Sequence, residues 1–260
     1  MSCRCLSPLC LVFLFGLADA APGQPPRPDL SPWSEQNARW AEEVGRLEAL
    51  DREQEDPEGA VLLIGSSSIR LWETAAEDLA PYPVIRRGYG GAQFSDLAHY
   101  AQRLIEPHDF RAAVVFVAND ITGGPADKTP EEVGELFGYV AEVLRWREPD
   151  APIICCDVRP APLRFGAWRE IQQGNAALRA ECEKRPGVYY LDTADAFLRD
   201  GGAAARDDLY GPDRLHLSRS GYELWGELIK AELDRVLADR GDRAGTPSAA
   251  GEGSSHPTDR

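Results

Sequence analysis

The sequence predicts an α/β fold in which a parallel sheet is covered by helices on both faces. Three observations carry this. Five short apolar runs, at 60–64, 83–87, 112–118, 152–158 and 188–192, are separated by segments of helical periodicity. The runs are continuously apolar, as strands buried on both faces are, and lack the strict alternation of a half-solvated sheet. Strand followed by helix, repeated along the chain, is the pattern of parallel strands joined by crossovers.

The elements follow in order. Residues 21–31, with the run Ala-Pro-Gly-Gln-Pro-Pro-Arg-Pro-Asp-Leu, predict an extended linker. From Pro32 to about Leu50, Trp33, Trp40, Val44 and Leu47 recur at helical spacing and predict an N-terminal helix. The first strand runs into Gly65-Ser66-Ser67-Ser68, with a helix over 68–80. The second runs into Gly88-Tyr89-Gly90-Gly91, with a helix over 92–104. After the third, which ends in Ala118-Asn119-Asp120, a helix opens on Thr129 as cap, Pro130 at the first position and Glu132 to complete a capping box. Its Val133, Leu136, Phe137, Val140 and Leu144 form one apolar stripe. The fourth strand ends in Arg159-Pro160-Ala161-Pro162 before a helix over 167–184. After the fifth, Asp213-Arg214-Leu215-His216 leads into a last helix over 219–237. These signals bound one domain, 32–238. Residues 239–260 have almost nothing to bury and predict a disordered tail.

The first twenty residues have the layout of a signal peptide. Arg4 precedes an apolar run from Leu6 to Leu17, and Ala18-Asp19-Ala20 is a small-x-small cleavage site. The expectation is a secreted or periplasmic protein cleaved near Ala20, without stable membrane insertion, since the run is too short for a bilayer core of roughly 30 Å. The formal net charge is −15, nearly all of it in the body. That balance argues against nucleic acid or an anionic membrane as partner. Nothing in the sequence signals an oligomeric state. Three of the six cysteines lie in the signal segment. The odd remainder, Cys155, Cys156 and Cys182, predicts buried free thiols over a disulfide framework, and no cysteine spacing suggests zinc.

Ligands of open parallel α/β sheets sit beyond the carboxyl ends of the strands, so the residues just after each strand matter most. Acyl transfer needs a nucleophile, a base, an orienter for the base and donors for an oxyanion. A serine, a glycine-rich turn, an amide and an Asp-x-x-His pair stand at successive strand ends in that order. Of the four histidines, His99 falls in a predicted helix, His108 in a Pro-His-Asp surface turn and His256 in the tail, which leaves His216. Of three asparagines, Asn37, Asn119 and Asn175, only Asn119 closes a strand. Taken singly, these are a helix cap, a turn, an Asx turn and a surface pair. The ordered set is what points to chemistry.

Residues 38–237 resemble the SGNH hydrolases, the GDSL-like lipase and acylhydrolase group. The resemblance rests on Gly65-Ser66-Ser67-Ser68-Ile69, Gly88-Tyr89-Gly90-Gly91, Asn119-Asp120 and Asp213-x-x-His216. It implies a flavodoxin-like three-layer α/β/α sandwich with a five-stranded parallel sheet, and neither metal nor organic cofactor. It maps the nucleophile onto Ser67 and its partners onto Asp213 and His216. The oxyanion hole maps onto the N–H of Ser67, Gly91 and Asn119. Two positions depart from the family pattern. Ser66 stands where aspartate is usual, and the β-branched Val117 where glycine is usual before the asparagine. The common α/β-hydrolase elbow does not fit, because Ile69 replaces its second glycine. A dinucleotide fingerprint does not fit either, because Ala92 and Gln93 follow Gly91.

The implied function is a secreted serine esterase acting on short-chain esters, with acetyl groups on glycans as one candidate. The partner is then a small-molecule or glycan ester. No apolar lid suits a long-chain lipase. Phe165 and Trp168 could stack on a sugar ring, and Arg159 or Arg164 could meet a negative group, although ordinary packing at a helix start is the favoured account of both aromatics. The alternative, resting on Ser66 and Val117, is a non-catalytic carbohydrate- or partner-binding protein that keeps the fold.

Overall fold

A computed structural model describes residues 23–244 of the 260-residue chain. Five parallel strands form the sheet: β1 (Val61–Gly65), β2 (Val84–Gly88), β3 (Ala112–Phe116), β4 (Ile153–Cys156) and β5 (Val188–Leu191). Their order is β2-β1-β3-β4-β5, so the chain steps one way from β1 to β2 and the other way from β3 onward. The reversal opens a crevice between the ends of β1 and β3, where this class of sheet binds its ligands. The α/β fold is the expected one, and the strands differ from the predicted runs only at their ends.

Successive strand residues alternate between two cores, as the pleat requires. Leu62, Ile64, Ala113, Val115, Ile153 and Cys155 face one core. It is closed by α2 (Ala41–Glu53), α5 (Phe94–Ile105), α6 (Pro130–Arg147) and α7 (Trp168–Glu183). Val61, Leu63, Val114, Phe116, Ile154 and Cys156 face the other, under α8 (Arg219–Ala244) and the segment around Trp72 and Leu79. Thr129 and Glu132 form the expected capping box of α6. Cys155, Cys156 and Cys182 are buried free thiols.

Four boundaries differ from expectation, each for a tertiary reason. The N-terminal helix breaks at Arg39 and Trp40 into a 3₁₀ turn (Ser31–Trp33), α1 (Ser34–Ala38) and α2. The bend carries the Trp40 ring onto Tyr89, 5.8 Å away, while Tyr100 donates to the Asn37 carbonyl. Residues 68–80 form two single turns, α3 (Ser67–Arg70) and α4 (Ala75–Asp78), instead of one helix. Between them the Asp78 carboxylate accepts from the Trp72 indole and the Thr74 hydroxyl, which compete with a helical path. The proline-rich segment is anchored, with Leu30 buried in the core. Finally α8 continues to Ala244, six residues past the expected domain limit at 238, because extending a packed helix costs little once it is nucleated. The signal segment and the tail beyond residue 244 lie outside the described residues. Among those described, no helix is long and apolar enough to cross a membrane.

Trp225 shows how tightly α8 is seated. It is fully buried, and its ring centroid lies 5.0 Å from both Trp72 and Phe116. Trp225→Ala should lower stability by about 3–5 kcal/mol, the usual cost of emptying an aromatic site. Urea unfolding followed by circular dichroism measures this. A loss under about 1 kcal/mol would contradict close packing of α8 on the sheet.

Candidate active site

The site begins at a backbone contact. Gly65, the last residue of β1, has φ +144°, and a Cβ built there would lie 1.9 Å from the Phe116 carbonyl oxygen. Ser66 N donates to that same oxygen at 2.9 Å. The chain therefore leaves β1 in a sharp turn, with Ser66 buried at the N-cap and Ser67 opening α3. Ser68 is buried too, its hydroxyl accepting from Arg159 at 3.0 Å. All three serines border the cleft, and the middle one lies beside His216.

Ser67 Oγ lies 2.9 Å from His216 Nε2, and His216 Nδ1 lies 2.6 Å from Asp213 Oδ2. An ionised carboxylate only accepts, so Nδ1 carries the proton and Nε2 is left to accept from the Ser67 hydroxyl. The Asp213 loop is itself fixed. Asp213 Oδ1 accepts the N–H groups of Leu215 and His216, each at 3.0 Å. Between them Arg214 adopts φ +58°, a left-handed conformation unusual for a side chain of this kind, and pairs with Asp207 at 3.0 and 3.1 Å. Burial pushes the Asp213 carboxyl upward, but the hydrogen bonds from His216 and the two N–H groups outweigh it. The pKa is lowered on balance, so Asp213 stays ionised well into the acidic range.

Asn119 stands across the cleft. Its Nδ2 donates to the Ala92 carbonyl at 2.9 Å, its Oδ1 accepts from Arg164 at 2.7 Å, and its carbonyl accepts from Gln93 at 2.8 Å. Val117 points into the core and leaves this arrangement intact. Ser67, Asn119, His216, Val158, Arg159 and Arg164 share the wall of a narrow cleft of about 410 Å³, counted to its open mouth. Beyond Arg164 it adjoins a wider trough of about 1120 Å³ flanked by Thr122, Gly123, Leu163, Glu170 and Gln173.

The other expected site residues are placed as follows. Gly91 is solvent-exposed in the loop after β2, and the carbonyl of its neighbour Ala92 accepts from Asn119. Phe165 and Trp168 line neither cavity. Trp168 packs against the core where α7 begins, the role common to an aromatic at a helix start. Arg164 is engaged by the Ala118 carbonyl and Asn119, whereas Arg159 donates from Nη2 to Ser68 and keeps Nε and Nη1 without a hydrogen-bond partner. Away from the site, His108 is buried and not in a surface turn. Its Nδ1 lies 2.8 Å from Asp56 and its Nε2 3.5 Å from Asp51, acids some fifty residues away. Among the described residues, no group of three or more His, Cys, Asp or Glu is placed to hold a metal ion.

A buried polar network beneath Asn119 had no sequence signal. Asp120 accepts the Phe94 N–H at 3.0 and 3.1 Å and lies 3.3 Å from the Lys128 ammonium, which also donates to Gln93. Asp96 accepts from the Tyr89 hydroxyl at 2.7 Å and from Gln93 N at 3.0 Å. Burial raises the carboxyls of Asp96 and Asp120 to about 6 each, with Lys128 opposing the shift at Asp120. Their folded pKa values exceed the unfolded ones. Their contribution to stability is therefore complete below the ordinary carboxylate pKa and is lost as pH rises through about 6. Lys128→Met leaves Asp120 without its cation, and should cost about 3–5 kcal/mol at pH 8, the usual price of breaking a buried pair. At pH 5 Asp120 takes up a proton and the loss should shrink. Urea midpoints at the two pH values measure this, and equal losses would show that Lys128 does not neutralise Asp120.

No curated protein gives a significant sequence match. Among solved structures, a protein from Streptococcus pneumoniae superposes with a TM-score of 0.65 at 17% identity, over 78% of this chain and 97% of that one. A GDSL-like lipase from Bacteroides thetaiotaomicron gives 0.58 at 17% identity, over 80% and 98%. A carbohydrate esterase family 3 protein from Talaromyces cellulolyticus gives 0.54 at 16% identity, over 69% and 98%. At these identities the likeness is one of fold. The sequence itself matches the GDSL-like lipase/acylhydrolase family over residues 64–224, from the end of β1 into α8, a span that holds Ser67, Asn119, Asp213 and His216. The chain therefore belongs to the GDSL-like lipase/acylhydrolase family, the SGNH hydrolases.

Proposed function

We propose that the chain is a serine esterase of short acyl groups, with Ser67 as nucleophile, His216 as general base and Asp213 as the group that orients it. The observation that carries this is the continuous relay from Ser67 Oγ through both His216 nitrogens to Asp213, at 2.9 and 2.6 Å. Ser67 Oγ attacks the ester carbonyl carbon as His216 Nε2 takes its proton. The imidazolium then returns that proton to the leaving alkoxide, and the C–O bond breaks to give an acyl-enzyme and the free alcohol. Water, deprotonated by His216, releases the acid. The oxyanion is assigned to the N–H groups of Ser67 and Gly91 and to the Asn119 amide, the set the family pattern implies.

The narrow cleft supports a short acyl group, and the wide trough beyond Arg164, with Thr122, Glu170 and Gln173 on its flank, supports a hydroxyl-rich alcohol such as a glycan. A carbohydrate esterase among the structural neighbours agrees with that class. The same reading takes residues 1–20 as a signal peptide and the substrate as extracellular. Ser66 and Val117, the support for a non-catalytic binding protein, are both accommodated without disturbing Ser67, His216 or Asn119.

A fluorophosphonate probe should label the wild type, Ser66→Ala and Ser68→Ala but not Ser67→Ala. Labelling of Ser67→Ala would place the nucleophile elsewhere. On p-nitrophenyl esters, kcat/KM should fall from acetyl to octanoyl by roughly ten- to a hundredfold, matching an overpacking cost of about 1–3 kcal/mol. A rise with chain length would refute the short-acyl assignment.

A further inference from the structure

Arg164 sits in the 3₁₀ turn Pro162–Ala167 that follows β4, and its guanidinium reaches back to the end of β3. Nη1 donates to the Ala118 carbonyl and Nη2 to Asn119 Oδ1, the latter at 2.7 Å. On the far side of the amide, Nδ2 donates to the Ala92 carbonyl at 2.9 Å. These two neighbours fix the amide's orientation by chemistry alone. A guanidinium has only donors and a carbonyl only acceptors, so the oxygen must face Arg164 and the NH₂ must face Ala92. One N–H is used by Ala92. The other is left for the cleft, whose wall Asn119 shares with Ser67.

The charge of Arg164 is also unusual in its setting. The cleft wall contains Arg159, Arg164 and His216 but no carboxylate, although the chain carries a net charge of −15. The buried cations Arg87 and Lys128 have acid partners, Asp51 at 2.7 Å and Asp120 at 3.3 Å, whereas in the cleft wall the buried Arg159 has none and Arg164 is half-buried. Among the described residues Arg164 makes no such pair. The nearby Asp127 carboxylate is occupied by Thr122, Gly123 and Gly124 at 2.7–3.1 Å. Burial lowers the Arg164 pKa from its ordinary value while Asp127 opposes the shift, yet an arginine remains protonated at any working pH. Buried charges are normally paired. A cation left unpaired behind an oxyanion donor meets its counter-charge when the tetrahedral intermediate forms, and this is the arrangement that favours a transition state over a ground state.

We propose that Arg164 is a positioning residue for ester hydrolysis: it locks the Asn119 amide with one N–H turned to the developing oxyanion and strengthens that donor with its unpaired charge. This rests on the reading of Asn119 as an oxyanion donor, and the experiment separates the two claims. Full-length Asn119→Ala, Arg164→Ala, Arg164→Lys and the Asn119→Ala/Arg164→Ala double variant are compared with wild type for kcat and KM on p-nitrophenyl acetate, with folding checked by circular dichroism.

Asn119→Ala should lower kcat by about 10²–10³. Arg164→Ala should lower kcat by roughly ten- to a hundredfold, the worth of a charge-assisted hydrogen bond, with KM nearly unchanged. The double variant should be no slower than Asn119→Ala, and guanidinium ion at millimolar concentration should restore part of the Arg164→Ala rate where sodium chloride does not. Arg164→Lys should keep the fold and still lose kcat, since a lysine cannot reproduce the two-pronged contact; it carries the test if Arg164→Ala does not fold. A few-fold effect of Asn119→Ala would sink the oxyanion reading and this proposal with it. A full effect of Asn119→Ala removes the Arg164 claim alone if Arg164 variants keep wild-type kcat, change KM instead, or multiply their loss in the double variant.

Discussion

The approach of Gly65 to the Phe116 carbonyl holds the site together. No side chain fits at position 65, because a Cβ would sit 1.9 Å from that oxygen, and Ser66 N bonds the same atom at 2.9 Å. The two central strands are thereby tied end to end at the point where the strand order reverses. Ser67 follows within two residues of Gly65, and Asn119 within three of Phe116, so their adjacency is a consequence of this one contact. The Phe116 ring points the other way and meets Trp225 at 5.0 Å, on the helix whose entry loop delivers His216. One residue therefore registers the serine with its backbone and helps seat the histidine's helix with its side chain.

The electrostatics follow from the same geometry. The body is acidic, yet the cleft wall collects two arginines and the histidine, while the only acid of the relay, Asp213, is tied down by three hydrogen bonds. Aromatic faces stand in for carboxylates around Arg159, which stacks 4.6 Å from the rings of both Phe116 and Trp225. Such packing keeps the positive charge near the serine without neutralising it. The cleft wall thus holds positive charge with no carboxylate of its own.

What was legible in the sequence is what local signals encode. Strands buried on both faces announce themselves as apolar runs, and glycine, asparagine and proline punctuate their ends, so the sheet and the Ser67, Asn119, Asp213 and His216 set could be read directly. What was not legible depends on contacts distant in sequence. Arg164 reaches Asn119 across 45 residues and Lys128 reaches Gln93 across 35, and neither leaves a periodic trace. His108 is drawn inside by Asp51 and Asp56, which no turn rule anticipates. Phe165 and Trp168 were ambiguous because an aromatic at the start of a helix has the same sequence appearance whether it packs inward or faces a ligand. The break at Arg39 and Trp40 has no proline or glycine to mark it, and arises because the loop after β2 takes the Trp40 ring.

That loop also resolves what the paired glycines are for. A Cβ on Gly90 would lie 2.5 Å from the Trp40 ring, and Gly90 N donates to Glu43 at 3.0 Å, so this glycine is required by packing. Gly91, by contrast, has only the edge of Trp40 at 3.8 Å and stands open to solvent. Farther along the loop, Gln36 donates to Gln93 at 2.6 Å, and Gln93 in turn holds the Asn119 carbonyl. Gln36, Trp40 and Glu43 all precede the matched family span, which begins at residue 64. The N-terminal helices thus grip the glycine loop from outside the matched span, through Trp40 and Glu43 at Gly90 and Gln36 at Gln93, and leave Gly91 open to solvent.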